Sequence, residues 1–102
     1  MTDAEFLQEV KRYVLEVDPN AEVWLFGSRA RGDFHSESDW DFLMLTDKPV
    51  DRSFKYNVWD HLNELELAAE RVISTRIRNR ADWRSLSVTD FYQNVADDAR
   101  RL

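Results

Sequence analysis

Only two of the 102 residues are glycine, Gly27 and Gly32, and they stand five apart. A chain that otherwise avoids glycine places them where its backbone must turn tightly and where a missing Cβ permits close approach. The segment before them, Glu22 to Phe26, is short, bulky and apolar, which predicts a buried strand ending at Gly27. Ser28 to Arg31 predicts a short helix leaving the turn, and Phe34 to Ser38 a polar loop. Asp39 and Asp41 then open a second apolar strand, Asp39 to Leu45, stopped by Thr46-Asp47-Lys48-Pro49. An i, i+2 pair on a strand shares one face, roughly 6.5–7 Å apart along the chain. Trp40, between the two, must face the other way, into the core.

The remaining periodicity surrounds this unit with helices. Thr2-x-x-Glu5 has the spacing of a capping box, and Phe6, Val10, Val14 and Val17 recur at helical intervals, predicting a helix over 2–18 stopped by Asp18-Pro19-Asn20. Phe54, Val58, Leu62, Leu65 and Ala69 predict a second long helix from about Asp51 to Glu70. Arg71 to Arg78, rich in β-branched residues, predicts a third strand. Ser87-x-x-Asp90, with Phe91, Val95, Ala99 and Leu102, predicts a final helix running to the end of the sequence. The expected fold is α/β (α+β) in one domain over 1–102. A small mixed sheet has its helices packed on one face, and the other face is left open for a site.

Composition narrows the function. The 43% hydrophobic content and 13% aromatic content exclude a disordered chain. No apolar run reaches the ~18 residues of a membrane span, and no signal peptide opens the sequence. With no cysteine there are no disulfides or thiolate metal sites, and the expected location is cytoplasmic. A net charge of −6 argues against binding long nucleic acid, although the last third is arginine-rich. An acidic domain suits a nucleotide arriving with magnesium, or a protein partner with a basic face.

A turn of backbone N–H donors leading into a helix favours anions, and two carboxylates on one strand face repel unless a cation compensates. Side by side, they point to phosphoryl or nucleotidyl transfer. The pattern Gly27-Ser28-x-Ala30-Arg31-Gly32, followed by Ser38-Asp39-x-Asp41, resembles the signature of the minimal nucleotidyltransferases of the DNA polymerase β-like superfamily. That resemblance implies that Gly27 and Ser28 hold the triphosphate of an incoming nucleotide, typically ATP. It also implies that Asp39 and Asp41 bind Mg2+, in an arrangement with room for two ions. Arg31 is a candidate phosphate ligand, while Arg29 reads as a solvated surface arginine.

Active members of that superfamily usually add a third carboxylate from the next strand. Here that strand, Arg71 to Arg78, has no acid. Its alternation puts Val72, Ser74, Arg76 and Arg78 on the face of the aspartates. Arg76 there would neutralise the pair or hold nucleotide phosphate. Glu64, Glu66 and Glu70 in the preceding helix read as solvent-facing. Of the two histidines, His35 lies in the loop before the aspartates and His61 on a helix flank. The resemblance implies adenylyl transfer to a hydroxyl of a helical HEPN-type partner in a toxin–antitoxin pair, with a homodimer the other expected assembly. The second reading is a catalytically impaired module that binds nucleotide or partner.

Overall fold

A computed structural model describes all 102 residues, Met1 to Leu102. The first helix, α1 (Asp3–Val17), starts at the expected capping box: Thr2 Oγ1 accepts from Glu5 N–H at 3.1 Å, and Glu5 Oε1 accepts from Thr2 N–H at 2.9 Å. Next come β1 (Glu22–Phe26), the one-turn α2 (Ser28–Arg31), β2 (Trp40–Thr46) and the long α3 (Arg52–Ala69). Asp51 caps α3 by accepting from Phe54 N–H at 2.8 Å, and Glu70 ends it in the left-handed region at φ 54°. Strand β3 (Ile73–Asn79) leads into α4 (Arg80–Ser85), α5 (Asp90–Asp98) and the two-residue β4 (Arg100–Arg101).

The four strands run in the order β3-β2-β1-β4. Strand β1 pairs antiparallel with both β2 and β4, while β2 and β3 are parallel, so α3 is the crossover between them. Val10, Val14, Val58, Leu62 and Leu65 from α1 and α3 pack on Val23, Leu25, Trp40, Phe42, Met44 and Ile77 of the sheet. Each such side chain contributes roughly 1.5–3 kcal/mol by leaving water. The Asp18 carboxylate is buried at the end of α1 and accepts from Thr46 Oγ1 at 2.5 Å, which pins the far end of β2.

The opposite face carries more than the sequence suggests. Trp83 of α4 and Val95 of α5 pack there on Leu43 and Leu45, with Trp24, Phe26, Phe91 and Tyr92 around them. Helix α4 escapes a periodicity reading because it is only six residues long. Its signal is Asn79, whose Oδ1 accepts from the N–H groups of Ala81 and Asp82. The expected final helix from Ser87 to Leu102 is shorter at both ends. Thr89, not Ser87, is the cap, and Ala99 leaves the helix in extended conformation. Arg100 and Arg101 then pair with Leu25 and Trp24, and Leu102 joins the core beneath α1 and α3 instead of extending α5. Covering the apolar end of this face leaves its other end, around Asp39 and Asp41, open.

The exposed edge of β3 is guarded by α3. Glu66 Oε2 accepts from Ile73 N–H at 2.8 Å, and Trp59 Nε1–H donates to the Thr75 carbonyl at 3.0 Å. These side chains occupy ladder groups that would otherwise template another strand. Glu66, expected in solvent, is therefore an edge cap.

Candidate active site

Strand β2 is buried at every position but one, and that one is Asp41. Trp40, Phe42 and Met44 enter the helix-covered core, so alternation turns Asp41, Leu43 and Leu45 to the opposite face. Asp39, one residue before the strand, is exposed, while Trp40 is 5% exposed with its ring 5.1 Å from Phe6.

Phe26, the last residue of β1, lies opposite Asp41 in the antiparallel ladder. The chain must reverse immediately after it. Gly27 achieves this at φ 75°, ψ −159°, a conformation that L side chains rarely adopt. A Cβ there would stand 3.2 Å from Asp41 Cγ and closer still to Oδ2. The missing side chain of Gly27 is thus the space the Asp41 carboxylate occupies. Gly32, at φ 86°, closes α2 in the left-handed region with its N–H on the Ser28 carbonyl, and a Cβ there would meet open space.

Burial is the main force raising the Asp41 pKa above the usual carboxylate value, and the charge of Asp39 adds to it. Arg76 and Arg31 pull the other way. Neither arginine forms an ion pair with the aspartates. Arg31 donates from Nε to Asp33 at 3.1 Å and from Nη1 to Asp98 of α5 at 3.0 Å. Arg76 is exposed and sits with its guanidinium carbon 5.8 Å from the centre of the Phe91 ring. Both cations therefore border the open end of the face without filling it.

Ser74 lies beside Asp41 in the parallel register of β2 and β3, with Arg76 two residues further along the same face. No group of three or more His, Asp or Glu side chains is gathered closely enough to hold a metal ion. The donors present are the two carboxylates. Both are hard oxygen ligands at one end of the central strand β2, and the Gly27 gap keeps Asp41 free of a steric neighbour, so they fit a divalent cation that takes further ligands from a bound phosphate.

The preceding loop is tied down by its own residues. Ser38 Oγ accepts from His35 N–H at 3.0 Å, and His35 Nδ1 accepts from Glu37 N–H at 3.2 Å, so His35 organises the turn. Arg29 is not a solvated surface side chain. It donates from Nε and Nη2 to the Ser38 carbonyl at 3.3 and 3.0 Å. Sequence alone could not show this, because the acceptor is a backbone carbonyl nine residues away. His61, on its helix flank, faces Glu16 at 3.3 Å.

The profile of the nucleotidyltransferase domain family matches residues 5–100. No curated protein matches the chain. Among solved structures, a toxin–antitoxin crystal structure with AMP-PNP superposes with TM-score 0.67 and 21% identity, covering 98% of this chain and 72% of that one. The complex of the tri-AMPylated Shewanella oneidensis HEPN toxin with MNT antitoxin gives TM-score 0.65 and 15% identity, covering 98% and 71%. A chain described as a suspected nucleotidyltransferase gives TM-score 0.68 and 22% identity, covering 94% and 96%. At these identities the likeness establishes a shared fold.

Proposed function

The chain belongs to the nucleotidyltransferase domain family, and on that premise we propose that it transfers a nucleoside monophosphate, AMP from ATP, to a hydroxyl of a helical HEPN-type partner protein. The observation that carries this reading is the close approach of Gly27 to Asp41, which sets the glycine turn directly against a half-buried carboxylate. The fold shared with the MNT antitoxin in complex with an AMPylated HEPN toxin supports the choice of nucleotide and partner.

In this reading the turn at Gly27 and Ser28 receives the triphosphate through backbone N–H groups and the Ser28 hydroxyl. Asp39 and Asp41 hold Mg2+, for which their mutual repulsion makes a standing demand. Bound magnesium supplies charge neutralisation for the triphosphate and the leaving pyrophosphate, and acidifies the attacking hydroxyl. The acceptor oxygen bonds to the α-phosphorus as the bond to the β-phosphate oxygen breaks, and the hydroxyl proton passes to solvent. Arg31 and Arg76, at the rim, add positive charge for the phosphates. Such transfers need positioning and charge compensation more than covalent help from the protein.

ATP titrated with and without Mg2+ tests the site. Magnesium should tighten binding, and that gain should be lost on Asp39→Asn and Asp41→Asn; a wild-type chain whose ATP binding is indifferent to magnesium contradicts the reading.

One observation favours a second reading. Ser74, not an acid, occupies the β3 position beside Asp41, and Arg76 follows it on the same face. A module that binds nucleotide or its helical partner without turnover would tolerate that replacement. It predicts magnesium-dependent ATP binding with no transfer to any acceptor.

A further inference from the structure

Arg29 joins the two halves of the candidate site. It lies in α2, immediately after Gly27 and Ser28, yet its side chain turns towards the loop that delivers Asp39. Besides the two bonds to the Ser38 carbonyl, Nη2 reaches the Ser36 carbonyl at 3.4 Å. The guanidinium is clamped between two rings, its carbon 4.3 Å from the centre of Phe34 and 4.4 Å from that of Trp40. Trp40 is itself immobilised in the core against Phe6. A rigid anvil, a planar cation and two loop carbonyls therefore form one stack, and the residue that follows the second carbonyl is Asp39.

We infer that Arg29 is a positioning residue that fixes the backbone of Asp39 relative to the phosphate turn, and so sets the geometry with which Asp39 and Asp41 grip a divalent cation. Two of its three nitrogens are committed to the loop, so its contribution is orientation of the Asp39 carboxylate and not contact with the nucleotide. Lysine cannot replace it, because an ammonium has neither the fork that spans Ser36 and Ser38 nor the plane that stacks on Phe34 and Trp40. The inference rests on the assignment of Asp39 and Asp41 as cation ligands. Groups that orient ligands from behind usually control metal affinity by about 10–100-fold.

Mn2+ is titrated into the full chain in the presence of ATP and followed by electron paramagnetic resonance, for wild type, Arg29→Lys, Phe34→Ala and Asp39→Asn. Metal-free ATP binding and amide exchange over 36–39 are measured alongside. Wild type should bind Mn2+ and Asp39→Asn should not. Arg29→Lys should bind it at least about tenfold more weakly, with metal-free ATP binding unchanged and faster exchange over the loop. Phe34→Ala, which removes one exposed face of the clamp, should move the same readouts by less, and it carries the test if Arg29→Lys does not fold. Mn2+ affinity and loop exchange at wild-type values in Arg29→Lys overturn the inference, as does an equal loss of metal-free ATP binding, which would make Arg29 a phosphate ligand. A wild type that binds no Mn2+ overturns the assignment of the carboxylates instead, and the exchange measurement still decides whether Arg29 orders the loop.

Discussion

The Asp41 carboxylate occupies the space where any residue but glycine at position 27 would carry its Cβ. The turn that ends β1 and the acid that opens β2 were brought into contact by the register pairing Phe26 with Asp41. Gly27 is thus required twice over, for its positive φ and for its missing side chain.

Gly27→Ala and Gly32→Ala separate those two requirements. Both place alanine at positive φ: the change at Gly32, in the left-handed region, costs about 1–2 kcal/mol, and that at Gly27, at φ 75° and ψ −159°, lies where essentially only glycine goes and costs about 1–3 kcal/mol. Only Gly27→Ala also drives a methyl into Asp41, so its urea midpoint should fall further and its Mg-ATP binding should be lost. Gly32→Ala, with open space around the new Cβ, should retain binding.

Asp41→Asn should stabilise the metal-free protein while abolishing magnesium-dependent binding. Burial and Asp39 raise the folded-state pKa of Asp41 above its unfolded value. Its favourable contribution is therefore complete at pH below the unfolded value and lost as pH rises through the folded one, leaving the ionised group unfavourable at pH 7. Partial solvent screening keeps the gain below about 1 kcal/mol. Thermal melts should show the variant above wild type at pH 7, with the gap closing towards pH 4.

Much of this arrangement could be read before the fold was seen, for definite physical reasons. Helices α1 and α3 repeat apolar residues over several turns, and the sole glycines flank α2, so these elements emerge within a residue or two of their observed ends. The face shared by Asp41, Ser74 and Arg76 follows from strand alternation alone. What escaped were elements whose signals are tertiary. Helix α4 is shorter than two turns, and β4 is two arginines whose pairing with β1 depends on the chain returning from α5. Arg29 and Arg31 look alike in sequence, yet one finds backbone carbonyls and the other Asp33 and Asp98.

Ser74→Asp would place a third acid beside Asp41. If the open site binds a cation, Mn2+ affinity should rise by about tenfold with the added ligand charge, while metal-free thermal stability falls through repulsion. Unchanged Mn2+ affinity would show that β3 does not face the cation.

Asp18→Ala tests fold without function. It strips the buried Thr46 hydroxyl and the Asn20 N–H of their acceptor, at a cost of about 2–3 kcal/mol. Urea unfolding should report that loss. Magnesium-dependent ATP binding of the folded fraction should stay at the wild-type value, because Asp18 lies at the far end of β2 from Asp41.

The decisive measurement is transfer itself. The chain is incubated with α-labelled ATP, Mg2+ and a HEPN-type protein as the proposed partner, and the label is followed on the partner. Covalent label on a partner hydroxyl, abolished by Asp39→Asn and by Asp41→Asn, is the expected result. Magnesium-dependent ATP binding with no label on the partner would contradict nucleotidyl transfer to it.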